Sequence, residues 1–401
     1  MMRSFGVYAV TTVPEIDLSD PELLEDPAAV YGRARERAPV ARLVAPGFGP
    51  MWAVTRHAEA RAMLADPRFG NSAASYPRLD VPEHCRPYLR TMQEMAGPDH
   101  QRLRRLSAPA FTARRADAFR PVVARIVERL LDDVADLLAD GPADLLEHFA
   151  GPLPMYVVCA LLGVPDEARP AWLAHGRAVA AGNGPAFTAA VPAIIDGARE
   201  IAPHVADLFG DGLTEQERIT QVWHLVLAGQ TPTNLIANAV AALLEEPSRA
   251  ALLRAEPGLL PGAVEELTRW CGPQLLTVPR YVHRPADLAG VTVNPGEPVT
   301  VAIVAANRDP RVFPDPERLD LRSTTAGAHL GYAHGPHFCL GAPLARVQTE
   351  VALGALLARF PDLALSSAGA LAGVAARRVP DPGTWRLAAL PVTAGDDARP
   401  T

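Results

Sequence analysis

Apolar residues recur every three or four positions over most of the chain, which predicts a mostly helical protein. Asp26-Pro27 opens a helix to about Arg37, with aspartate as cap and proline at the first helical position. Helical periodicity returns at Glu59–Leu64, Gln101–Leu106, Ala116–Leu138 and Pro154–Leu162, and in two segments between Ala171 and Phe209. The longest predicted helix spans about Glu215 to Glu246. Thr214 and Glu217 make a capping box at its start, and Pro247 ends it. At 1.5 Å per residue it would be roughly 48 Å long. It is nearly uncharged from Val222 to Leu244, so it should be buried on most sides. Two further helices read from about Gly258 to Trp270 and from Ala342 to about Arg359.

Strand signals are short. They lie around Ala41–Val44 and Met51–Thr55, and across Gln274–Val304, where Val278, Val282, Val291, Val293, Val299 and Val301 alternate with polar or turn residues. The section from Asn307 to Thr325 reads as loop. No repeat or linker interrupts the 401 residues, so 1–401 is expected to be one domain, mostly α with small β-sheets. No apolar run approaches twenty residues, and Met1–Asp20 lacks the plan of a signal peptide; a soluble, cytoplasmic protein without a membrane partner is expected.

A net charge of −7 and a pI near 5.9 argue against nucleic acid as a partner. Every basic side chain other than histidine is arginine, which excludes lysine Schiff-base chemistry. Cys85, Cys159 and Cys271 have no disulfide-framework spacing, so a reducing interior is the simplest reading.

Cys339 is different. It sits in Gly331-Tyr332-Ala333-His334-Gly335-Pro336-His337-Phe338-Cys339-Leu340-Gly341, just before the helix at Ala342. Three glycines let this backbone pass close to something large and flat. Helix N–H groups aimed at a thiol favour the thiolate, a proper axial ligand for haem iron. A buried packing cysteine is the plain alternative. Zinc is another, through His334, His337 and Cys339, but no fourth ligand stands at a usual spacing.

The spacing aromatic, two residues, Gly, three residues, Cys, one residue, Gly resembles the haem-binding loop of the cytochromes P450. Gly335, His337, Cys339 and Gly341 match it; Tyr332 replaces the usual Phe and Ala333 the usual Gly. Cys339-Leu340-Gly341-Ala342-Pro343-Leu344-Ala345-Arg346 is similar to the bacterial form of the helix start. The resemblance covers about Asp26 to Val392 and implies the single-domain cytochrome P450 fold, a monomer, and haem b ligated by Cys339 in the loop 331–341. It implies propionate ligands at His100, Arg104, Arg280 and His337. It also implies an internal Glu266–Arg269 pair joined by Arg318 from Pro316-Glu317-Arg318-Leu319. Ferredoxin, fed by ferredoxin reductase, would dock near Arg102, Arg105 and Arg346.

One motif departs from the family. The long helix carries Ala228-Gly229-Gln230-Thr231-Pro232-Thr233, where the family has Ala-Gly-x-acid-Thr-Thr/Ser, the acid and first Thr relaying protons to dioxygen. Thr231 takes the acid position and Pro232 the alcohol position. Proline collides with the carbonyl four residues back, so a kink is expected at Ala228–Gly229. Thr231 or Thr233 could reach the groove through a water. The altered relay favours oxidative coupling of aromatic rings in a tyrosine- or tryptophan-containing short peptide. Ordinary hydroxylation of a polyketide, terpenoid or other small molecule is the alternative, and a non-catalytic haem scaffold a third. Substrate would be sensed by Pro67–Met95, Ala171–Ala190, Gln274–Val278 and Pro380–Trp385.

Overall fold

Asp26 caps the helix Pro27–Arg37, its side chain accepting from the Ala29 N–H at 3.0 Å. The computed structural model describes residues 13–75, 81–181, 184–210, 212–366 and 378–394, so residues 76–80 and 182–183 of the expected substrate-sensing segments lie outside the described residues. Seven helices frame the site: α1 Gly97–Ser107, α2 Ala113–Asp140, α3 Pro152–Leu162, α4 Glu215–Ala228, α5 Thr231–Leu244, α6 Leu260–Cys271 and α7 Ala342–Arg359. Thr112 caps α2 through the Arg115 N–H. Its apolar stripe of Val123, Val127, Leu130, Leu131 and Val134 is buried, and α2 makes its broadest contact with α7. Around α5 the core closes on all sides, and every residue from Leu235 to Leu244 is buried.

The predicted single rod from Glu215 to Glu246 is two helices of 14 residues each, with Gly229 and Gln230 in a turn between them. Thr214 and Glu217 do make the capping box, but the far end stops at Leu244, and α2, with 28 residues, is the longer element. Pro232 explains the division. It has no N–H to continue the ladder of α4, yet it fits the first turn of α5, where that N–H would have no partner. Gly229 lets α3 approach the break: a Cβ there would stand 2.7 Å from Val158 Cγ2.

The main sheet has four short strands in the order Glu15–Asp17, Val40–Ala45, Phe48–Val54, Val299–Val301, the outer two parallel to their neighbours and the middle pair antiparallel. Beyond it, Arg280 bridges Val299 through N–H to O bonds of 2.8 and 2.9 Å in both directions. That bridge fixes where the Arg280 side chain leaves the backbone. No helix among the described residues is long and apolar enough to cross a membrane.

Candidate active site

A cavity of about 920 Å³ lies between the loop before α7 and the break between α4 and α5. Cys339 lines it, its surface open towards the cavity. The loop is tied by Cys339 N–H to Tyr332 O (2.9 Å), Phe338 N–H to Gly335 O (3.0 Å) and Ala333 N–H to Leu330 O (2.9 Å). Burial pushes the Cys339 thiol up, while the Gly341 and Ala342 N–H groups, Arg104 and Arg346 act to hold it down. His334 faces Arg61 and His57 instead, and among the described residues no three His, Cys, Asp or Glu side chains are grouped to hold a metal ion.

Two loop positions show what backbone geometry demands. Gly335 has φ +73, and a Cβ there would stand 2.6 Å from Leu64 O and 3.0 Å from Ala65 Cα. Ala333 has φ 60, a left-handed conformation that suits glycine better. Gly335→Ala is therefore expected to destabilise the protein by about 2–3 kcal/mol, and Ala333→Gly to stabilise it by about 0.5 kcal/mol after the entropy of glycine is deducted. Thermal unfolding of both variants checks the pair; a neutral Gly335→Ala would refute this loop geometry.

Four nitrogen-bearing side chains meet beside the loop. His100 and Arg280 are 2% and 4% exposed, and the His100 and His337 rings lie 4.1 Å apart. Arg280 donates to Leu64 O at 2.8 Å and Arg104 to Phe338 O at 2.7 Å. Burial, then the neighbouring His100, Arg280 and Arg104, pushes His337 down to about 3; burial alone brings Arg280 to about 10. Among the described residues none of the four makes an ion pair with a carboxylate. Two buried and two half-buried nitrogen-bearing side chains without an anion fit a ligand that brings its own carboxylates. Gly341 lines the same cavity, and a Cβ there would meet no protein atom within 4 Å, leaving room for a flat group against the backbone.

The family model for cytochrome P450 matches residues 253–362. Over the whole chain, cytochrome P450 monooxygenase PikC of Streptomyces venezuelae is 38% identical across 96% of this chain and 95% of its own length. Mycinamicin IV hydroxylase/epoxidase of Micromonospora griseorubida is 39% identical over 84% and 89%. The chain belongs to the cytochrome P450 family. Cytochrome P450 PksS of the Bacillus subtilis 168 bacillaene polyketide synthase has the same fold, with a TM-score of 0.83, 29% identity, and coverage of 94% of this chain and 99% of that one. Membership brings haem iron as the cofactor, and the thiol, the bare Gly341 and the unpaired basic cluster of this P450 fit that group.

The altered relay segment divides at the cavity wall. Ala228, Gly229, Thr231 and Pro232 line the cavity. Gln230 turns away, its Nε2 2.8 Å from Met155 Sδ, and Thr233 lies 8% exposed with Oγ1 3.5 Å from Gly151 O. Thr233 is therefore not the alternative hydroxyl that its sequence position allows. The one carboxylate among the described lining residues is Glu94, and its Oε1 accepts from the Thr91 N–H at 3.3 Å. Among the polar cavity residues with no place in the sequence motifs are Gln221 and His224 of α4. Their signal was helical spacing, since 221, 224 and 228 fall on one face.

Glu266 and Arg269 of α6 pair through two bonds of 2.7 Å, at 1% and 4% exposure. Arg318 is a correction. Its side chain is exposed, and it meets the pair through its backbone carbonyl, which accepts from Arg269 Nη2 at 3.0 Å. Asn307 O and Pro316 O accept from Arg269 Nη1 at 3.1 and 2.8 Å. Carbonyls of one loop thus take the donors that a third charged side chain was expected to share. The expected docking arginines are also mostly engaged: Arg102 pairs with Glu217, and Arg346 pairs with Glu265 while its guanidinium lies 4.6 Å over the Tyr332 ring. Arg105 is exposed.

Proposed function

We propose that this P450 is a monooxygenase inserting one oxygen atom into an uncharged, largely apolar small molecule of polyketide type. The observation that carries the reading is the cavity itself, with Cys339 on one wall and the broken helix on the other. Relatives named mycinamicin IV hydroxylase/epoxidase and 6-deoxyerythronolide B hydroxylase support hydroxylation, the alternative reading of the sequence. Aromatic coupling of a peptide, which the altered relay favoured, has no support in them. A retired scaffold is a poor fit to a complete thiolate loop, basic cluster and substrate-sized cavity.

In this reading Cys339 would ligate the haem iron, Gly341 would leave room for the flat group, and His100, Arg104, Arg280 and His337 would hold its carboxylates. Bound thiolate-ligated haem supplies the one-electron and dioxygen chemistry. The protein's part is then to donate electron density through Cys339 Sγ, exclude bulk water with an apolar wall, and admit protons. Thr231 lines the groove, but among the described residues no carboxylate of α4 or α5 stands at the cavity to make its hydroxyl the proton source. Water or a substrate hydroxyl takes that role. Glu266 and Arg269 act by holding α6 against the loop 307–320. Electrons come from a ferredoxin and its reductase, as in other bacterial members.

Mycinamicin IV and 6-deoxyerythronolide B, supplied with ferredoxin, ferredoxin reductase and oxygen-18 gas, test the reading by mass spectrometry. One labelled oxygen in the product of either is expected. A tyrosine- or tryptophan-containing peptide that loses two hydrogens without label, with both macrolides unchanged, would return the assignment to coupling. Thr231→Ala should keep most of the activity, where removing an essential proton donor costs about a hundredfold or more. Thr231→Glu with Pro232→Thr should alter the yield of peroxide per turnover; an unchanged yield would mean the relay positions do not govern proton entry.

A further inference from the structure

Gln221 and His224 stand three residues apart in α4, on the face that continues through Ala228 to the break. Both line the cavity, in a stretch of wall that is otherwise apolar: Trp223 and Leu227 flank them, and Phe187 packs edge-on against Trp223 with ring centroids 5.9 Å apart. Gln221 is 3% exposed and His224 half-buried, and neither side chain makes a hydrogen bond or ion pair with another described residue. Polar groups with so little access to solvent are rarely left without partners. The partner must therefore enter from the cavity.

The chemistry of the two groups limits what that partner is. Burial pushes the His224 imidazolium down to about 4, so the ring is neutral near pH 7 and offers one N–H donor and one lone pair. The Gln221 amide likewise offers donors and an acceptor without charge. Such a pair complements a hydroxyl or a carbonyl and has no charge with which to attract a carboxylate or phosphate.

We propose that Gln221 and His224 form a specificity-determining shelf that binds an uncharged oxygen, hydroxyl or carbonyl, on the otherwise apolar substrate, and thereby selects the carbon turned towards Cys339. This deepens the monooxygenase reading and rests on it.

The test uses the haem-loaded protein. Mycinamicin IV and 6-deoxyerythronolide B are titrated while the haem absorption band is followed, and 4-phenylimidazole, which enters the cavity without needing a polar partner on its wall, reports cavity integrity. The variants are Gln221→Leu and His224→Phe, which keep bulk and lose the polar atoms, and His224→Gln, which restores a donor and an acceptor. Whichever macrolide binds the parent protein should lose about tenfold in affinity in each apolar variant, the value of one buried hydrogen bond. His224→Gln should recover most of that loss, and 4-phenylimidazole should bind all four proteins alike. Unchanged macrolide affinity in both apolar variants would mean the shelf holds only water and overturns the proposal. A parallel loss for 4-phenylimidazole would mean packing alone and also overturns it. If the parent protein binds 4-phenylimidazole but neither macrolide, the polyketide reading fails, and the shelf as described fails with it.

Discussion

Cys339→Ser is expected to abolish the red-shifted absorption band that a thiolate ligand gives the reduced carbon monoxide complex, and to lower turnover by more than about a hundredfold. The reasoning starts from place. Cys339 alone among the four cysteines opens onto the cavity; Cys85, Cys159 and Cys271 are buried. Burial raises the thiols of Cys159 and Cys271 to about 12, so neither is a ready thiolate at neutral pH. Burial raises the Cys339 thiol as well, but there the Gly341 and Ala342 N–H groups and two arginines act against it. A serine hydroxyl in the same place keeps the loop's backbone bonds, which run through the Cys339 N–H and not its side chain. Loss of the band with retained fold would therefore report the ligand and nothing else. Cys159→Ala serves as the control and should leave the band intact. A normal band in Cys339→Ser would remove the site assignment altogether.

Much of this site was legible because its signals are local. Cap residues, helical period and the loop spacing all act within one or two turns, so Asp26, the Thr214–Glu217 box and the start of α7 at Ala342 fall where the residues place them. The division at Gly229–Gln230 was legible for the same reason, since proline acts on its own backbone. Only its extent was missed: a kink was expected and two helices are found. What the residues could not give was the far partner. Whether Arg318 meets Arg269 by guanidinium or by carbonyl depends on how the loop 307–320 turns over α6, and no period records that. The same holds for Gln230 and Thr233, whose facing away from the cavity is set by Met155 and the Gly151 carbonyl of the α3 region.

The Glu266–Arg269 pair sets up the second large effect. Arg269→Ala is expected to destabilise the protein by about 3–5 kcal/mol, because it leaves a carboxylate uncompensated at 1% exposure. The loss goes beyond the ion pair. Arg269 also satisfies the carbonyls of Asn307, Pro316 and Arg318, and the Asp320 N–H donates to Glu266 Oε1 at 3.0 Å. Apolar replacement of both partners, Glu266→Leu with Arg269→Met, would remove the stranded charge but still orphan those loop groups, so it should recover only part of the stability. Since native proteins hold only about 5–15 kcal/mol in reserve, the single variant should purify with little haem and melt early. Arg318→Ala sharpens the case. Its side chain is exposed and its carbonyl survives the substitution, so a change within about 0.5 kcal/mol is expected. Denaturant unfolding of the three proteins decides between a backbone clamp and a triad of charges: an Arg318→Ala loss as large as that of Arg269→Ala would restore the triad and refute the clamp.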